Sequence, residues 1–200
     1  MCSRKIIMND LKLKIENDIW DWIKNYIEVD NKFYDYKFPV CPYAKAARSK
    51  GVVTVKAWTT GSIKEFITHS VRELVADPDH EIVVLTMPPR AKWIWGIKRL
   101  VESLNAEIIS QDYFAQYGVA VKTKSLYPGL FNSGKYFVVL VNRLGPVLEA
   151  HKSLLKTDYY KPWSKKHYDA VVTRRQKLYD KYKDGKKDNK KRCPFHGFKL

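Results

Sequence analysis

Apolar residues recur at three- and four-residue intervals from Asn9 or Asp10 onward, with Leu11, Ile15, Ile19, Trp22, Tyr26 and Ile27 set among Asp and Lys. This spacing predicts an amphipathic helix of about five turns, and Trp20 and Ile23 widen its apolar face enough to pack on a core. Asp30 and Asn31 end it, and Lys32 to Phe38 reads as an aromatic, charged connector. Cys41-Pro42-Tyr43-Ala44-Lys45-Ala46-Ala47-Arg48 then reads as a short helix, with Pro42 at its first position and Gly51 as its stop. Val52 to Trp58 is β-rich between Gly51 and Gly61. Ser62-Ile63-Lys64-Glu65 fits a capping box, and Ile63, Phe66, Ile67, Val71, Leu74 and Val75 carry a helical stripe to Asp77-Pro78.

Ile82-Val83-Val84-Leu85 is a continuous apolar run, as in a strand covered on both faces. Pro88-Pro89 stops it, and Ile94, Ile97, Val101 and Leu104 mark the next helix. Ala106 to Gln111 reads as a third strand, with Tyr113 to Val121 extending or pairing with it, and Tyr127 to Gly134 as a turn-rich loop. Phe137 to Val141 is the second strongly apolar run, Gly145-Pro146 opens a helix through Leu155, and a last helix spans about Lys165 to Lys183. Strands and helices alternating in this way predict an α/β fold. The expected sheet is mostly parallel with a mixed edge, about four to five strands with helices on its faces, plus the N-terminal helix and a basic C-terminal helix. The expected division is a core over residues 1–163 and a basic helical extension over 164–200.

Charge sharpens that division. The net charge is +16, and from His151 to Leu200 there are 16 Lys plus Arg against 5 Asp plus Glu. A basic end of this kind points to a polyanionic partner, nucleic acid foremost and an anionic membrane surface second, or serves solubility alone. Apolar runs stay below the roughly 18 residues of a membrane span, and Met1 to Met8 lacks the apolar region of a signal peptide, so the expected compartment is the cytoplasm. Three cysteines, Cys2, Cys41 and Cys193, are too few and odd in number for a disulfide framework, and reduced thiols are expected. Richness in Lys, Tyr, Asp and Ile hints at an AT-rich, viral genome.

Two places hold candidate chemistry. Beyond the carboxyl ends of the strands, Thr60, Ser62, Arg90, Lys92 and Arg143 offer hydroxyls, helix-terminal amides and cations for an anion, although Ser62 also reads as a plain helix cap. The glycine-rich signatures of nucleotide folds are absent. Cys41 at a helix N-terminus feels the positive end of the dipole, with Lys45 one turn on, which suits a nucleophile, a redox thiol or a ligand. The competing reading is a buried cysteine packed as a small hydrophobe. His69 and His80 show no acid partner in sequence, His151 has Glu149 through sequence proximity alone, and Cys193-Pro194-Phe195-His196 supplies two of the four ligands a structural zinc needs, so neither metal nor cofactor is expected.

Trp22-Ile23, Cys41-Pro42-Tyr43-Ala44-Lys45, Val52-Val53-Thr54-Val55, Ala76-Asp77-Pro78 and Val83-Val84-Leu85 follow one another in an order that resembles the bacterial family called domain of unknown function 1415. The resemblance covers residues 19–89 and is specific at Cys41 to Lys45, where Tyr43 stands for the family's Phe. It implies that Cys41 matters and supplies no reaction.

The leading expectation is nucleic-acid or polyanion binding without sequence specificity through the basic helix and tail. Arg174, Arg175, Lys177, Lys181, Lys186, Lys187, Lys190 and Lys191 are the expected phosphate contacts, and Tyr159, Tyr160, Trp163, His167, Tyr168, Tyr179 and Tyr182 read either as base-stacking rings or as packing contacts. The alternatives are a small thiol enzyme using Cys41 beside the anion crevice, and an assembly protein whose tail docks on an acidic partner.

Overall fold

The computed structural model describes residues 2–77, 79–88, 91–118 and 136–183. Helix α1 (Cys2–Trp22) continues through a π-helical turn, Ile23–Ile27, to the connector. After α2 (Ala44–Ser49) come β1 (Val53–Ala57), α3 (Ile63–Ala76), β2 (Ile82–Met87) and α4 (Ala91–Ile108). A 3-10 turn at Ile109–Gln111 leads to β3 (Tyr113–Gly118), and β4 (Phe137–Arg143) is followed by α5 (Leu144–Leu154). The last helix is continuous but carries a π-helical turn, Asp169–Thr173, between α6 (Lys165–Tyr168) and α7 (Arg174–Lys183).

The described strands form one mixed sheet in the order β1-β2-β4-β3. β1 and β2 are parallel across α3, whereas β4 runs antiparallel to both its neighbours. One pairing in three is therefore parallel, fewer than the alternation of elements suggests. β1, β2 and β3 do run in the same direction, as βαβ units require, but β4 inserts between β2 and β3. Composition explains the insertion. Val138, Val139 and Val141 are fully enclosed, so β4 belongs in the middle, while β3 carries Gln116 and suits an edge.

The two apolar strands alternate their side chains between two buried layers. Val83, Leu85, Met87, Phe137, Val139 and Val141 face α3 and α4, where Ile67, Val71, Leu74, Ile97, Val101, Leu104 and Ile108 complete the larger core. Val55, Val84 and Val138 face Ile19 and Ile23 of the first helix. Further along that face, Phe114 and Ile109 meet Leu144 and Leu148 of α5, with Leu178 and Tyr179 of α7 packed against them.

Ala106 to Gln111, expected to be a strand, is instead the end of α4 and the 3-10 turn. The reason is that the helical stripe of Ile97, Val101 and Leu104 runs one step further, to buried Ile108. Both sheet edges meet side chains. The Ala57 N–H of β1 donates to Glu16 Oε1 at 3.1 Å. On β3, Asn105 Nδ2 donates to the Ala115 carbonyl at 2.8 Å, and Asn105 Oδ1 accepts from the Ala115 N–H at 2.7 Å.

Candidate functional site

The expected anion crevice does not assemble. Because β4 is antiparallel to β2, Arg143 pairs at the end of the sheet where β2 begins, with Asn142 opposite Ile82, while Thr60 and Ser62 follow the far end of β1. Arg143 sits 3.6 Å from Glu81 and 3.9 Å from Asp112. Ser62 Oγ accepts from the Glu65 N–H at 3.3 Å, the helix cap its sequence context allows, and Thr60 is exposed. Arg90 lies outside the described residues, as does the side chain of Lys92.

Cys41 lies elsewhere, on the sheet face that carries α1 and the C-terminal helices. The connector that delivers it folds on itself. Asn31 caps the 3-10 turn Lys32–Tyr34 by accepting from Phe33, and Asp30 bridges to Pro39. Asp35 and Tyr36 take left-handed φ angles of 51° and 57°, a conformation uncommon outside glycine. The turn points Tyr34 and Phe38 inward, where Tyr34 stacks on Tyr159 at 4.7 Å and Phe38 meets the same ring edge-on at 5.7 Å. Tyr159 Oη donates to the Val40 carbonyl at 2.6 Å, and Trp163 Nε1 donates to Tyr34 Oη at 3.0 Å.

The Cys41 N–H closes on the Ile27 carbonyl, at the end of the first π-helical turn. Helix α2 starts at Ala44 with Tyr43 at its cap, so Pro42 is not its first residue and Cys41 lies two residues before the cap instead of at or next to it. The backbone N–H groups of Tyr43 and Ala44 reach the sulfur and favour thiolate, yet burial is the larger effect and pushes the Cys41 thiol up.

Two charged groups from other segments, Arg175 of α7 and Glu28, act on this thiol, and His151 of α5 lies within the electrostatic reach of the same arginine. The Arg175 guanidinium, near enough to act on the thiol electrostatically, is turned into the protein and away from the solvent-facing array expected of it. It lies 5.7 Å from the Phe114 ring centre and donates to Gln116 Oε1 at 3.3 Å. Burial lowers its pKa. His151 Nδ1 is 3.0 Å from Tyr160 Oη, and Nε2 is 3.4 Å from Tyr168 Oη. Burial, then Arg175, lower the His151 pKa and favour the neutral ring. Tyr43 Oη donates to the Ala150 carbonyl at 2.7 Å, tying the start of α2 to α5. The nearby carboxylate, Glu28, forms a bidentate pair with Arg48 at 2.8 Å for both bonds, and its side chain is 5% exposed.

A thiol nucleophile needs a base within hydrogen-bond reach. Both His151 nitrogens are already engaged by tyrosine hydroxyls, so His151 does not serve Cys41 in this arrangement. The rings offered for base stacking are likewise occupied with one another: Tyr159, Tyr160, Trp163, His167 and Tyr168 form a chain of edge and tilted contacts at 4.3 to 5.8 Å. Nothing in sequence spacing joins Cys41 to Arg175 or His151. The one signal was that all three lie in aromatic-rich segments.

The other cations remain outside. Arg174, Lys177 and Lys181 repeat at three and four residues along α7 and are exposed, as are Lys161, Lys165 and Lys166. Arg174 approaches Glu102 at 3.9 Å. Lys186, Lys187, Lys190, Lys191 and Cys193 lie outside the described residues. The expected boundary at residue 163 cuts through packed structure, since Val172 is buried and Leu178 and Tyr179 pack on the core. Among the described residues, no group of His, Cys, Asp and Glu suits a metal, and no helix is long and apolar enough to cross a membrane. In comparisons with known proteins, the chain matches no family model, no curated protein and no solved structure. The resemblance at Cys41 to Lys45 thus rests on those residues alone.

Proposed function

We propose that this protein binds nucleic acid, or a polyanion of similar charge density, through the outer surface of its C-terminal helices. The observation that carries the reading is the exposed series Lys165, Lys166, Arg174, Lys177 and Lys181 on helices fixed to the core, with Lys161 exposed in the turn before them. From Lys161 to Lys183 there are 8 Lys plus Arg against 2 Asp. Cations held by a folded platform neutralise phosphates without first ordering a chain, and they read no bases. With the described rings packed on one another, phosphate contact dominates over stacking, so the duplex, with its denser phosphate charge, binds at least as tightly as the single strand.

Fluorescence anisotropy of the full chain with short duplex and single-stranded nucleic acids, across a salt series, tests this. Affinity falls steeply with salt, and replacing Lys165, Lys166 and Lys177 by Ala lowers the salt slope by about 1 per lost phosphate contact. Binding that is indifferent to salt, or to these three lysines, contradicts the reading. Binding to an acidic polypeptide but to no nucleic acid favours the assembly protein instead.

A further inference from the structure

We propose that Arg175 anchors an internal site for a small oxyanionic group, phosphate or carboxylate, beside the Cys41 thiol. A buried charge is ordinarily paired, because an uncompensated one costs several kcal/mol. Arg175 departs from that rule. Its Nε is buried without a hydrogen-bond partner, and among the described residues its guanidinium donates to the neutral amide of Gln116. Among the described residues, the groups that act on it or touch it are uncharged or already paired. Phe114 offers a ring face, His151 is held towards its neutral form between Tyr160 and Tyr168, and burial disfavours ionisation of Tyr160. Cys41 is held towards its neutral thiol, and the Glu28 carboxylate near it belongs to Arg48.

A guanidinium carries five N–H donors in a flat fork that matches two oxygens of one oxyanion. Here Nε–H is unused among the described residues, and Nη2 donates only to the neutral Gln116 amide. The thiol and the hydroxyls of Tyr160 and Tyr168 are neutral polar groups, which tolerate an anion next to them. The helix geometry supports the placement: the π-helical turn Asp169–Thr173 changes the phase of the last helix immediately before Arg174, so that Arg175 points inward while Arg174 stays outside. Such turns are frequent at binding sites.

The test uses the full chain and simple anions. Thermal unfolding is followed in sodium phosphate and in sodium acetate, each against sodium chloride of equal ionic strength. Either oxyanion raises Tm by about 2 °C or more over chloride, and the larger response identifies the ligand class. The rise is lost in Arg175→Met and kept when Lys165, Lys166 and Lys177 are replaced by Ala. No rise with either anion overturns the proposal, and so does a rise that persists in Arg175→Met. Should Arg175→Met fail to fold, the Nε–H resonance of Arg175 in the unaltered protein gives the answer. It shifts on titration with the effective anion if the site exists and stays still if it does not. The outcome is independent of nucleic-acid binding, which the lysine variant alone reports.

Discussion

At the scale of single residues, His151 turns the cluster around Cys41 into a pH-dependent part of the fold. Its pKa is lowered in the folded protein by burial and by Arg175, below the ordinary 6.5. The unfolded chain therefore binds a proton more readily. The stability this neutral histidine provides is complete above pH 6.5 and is lost as pH falls from there through the folded pKa. His167, lowered by burial, acts in the same direction. Urea midpoints measured from pH 8 to pH 5 should fall across this window, and His151→Gln should flatten the slope; an unchanged slope removes His151 as the cause. Little of this cluster was legible in the sequence. Cys41 stood out by its Cys-Pro context, whereas Arg175 looked like one more cation in a basic run. A π-helical turn decides which of two adjacent arginines faces inward, and no heptad-like count of positions anticipates it.

Among elements, the sequence was informative wherever apolar residues kept one period over a long stretch. α3, β2 and β4 stand where the pattern put them, and Ser62 caps α3. What periodicity left open was pairing. A strand's partners depend on which surfaces it must cover, and the doubly buried β4 takes the centre of the sheet although it comes last in the chain. That one placement reverses a strand and carries Arg143 away from Thr60 and Ser62. Two substitutions separate core from surface at this scale. Leu85→Ala in β2 removes a fully enclosed side chain and should cost about 2–5 kcal/mol in chemical denaturation. Ser62→Ala removes a cap alone and should cost about 1 kcal/mol.

For the whole molecule, the two faces of the sheet divide the work: α3 and α4 complete the main core, while the opposite layer joins the first helix to the basic C-terminal helices and holds the Arg175 cluster between them. Charge asymmetry was fully visible in composition, but its rigidity was not. Only the packing of Val172, Leu178 and Tyr179 shows that the cationic segment is built onto the domain. The two outer strands carry a different consequence. An open strand edge invites a foreign strand to zip on, the route to swapped dimers and fibrils. Glu16 and Asn105 occupy some of the backbone groups such a strand would need, the Ala57 N–H on one flank and both groups of Ala115 on the other. Asn105→Ala should cost about 1–3 kcal/mol by leaving the buried Ala115 groups unmet. Combined with Glu16→Ala, it should turn a monodisperse preparation into one that seeds thioflavin-positive assemblies on standing. A side chain that satisfies an edge amide thus also takes that amide away from a neighbouring copy.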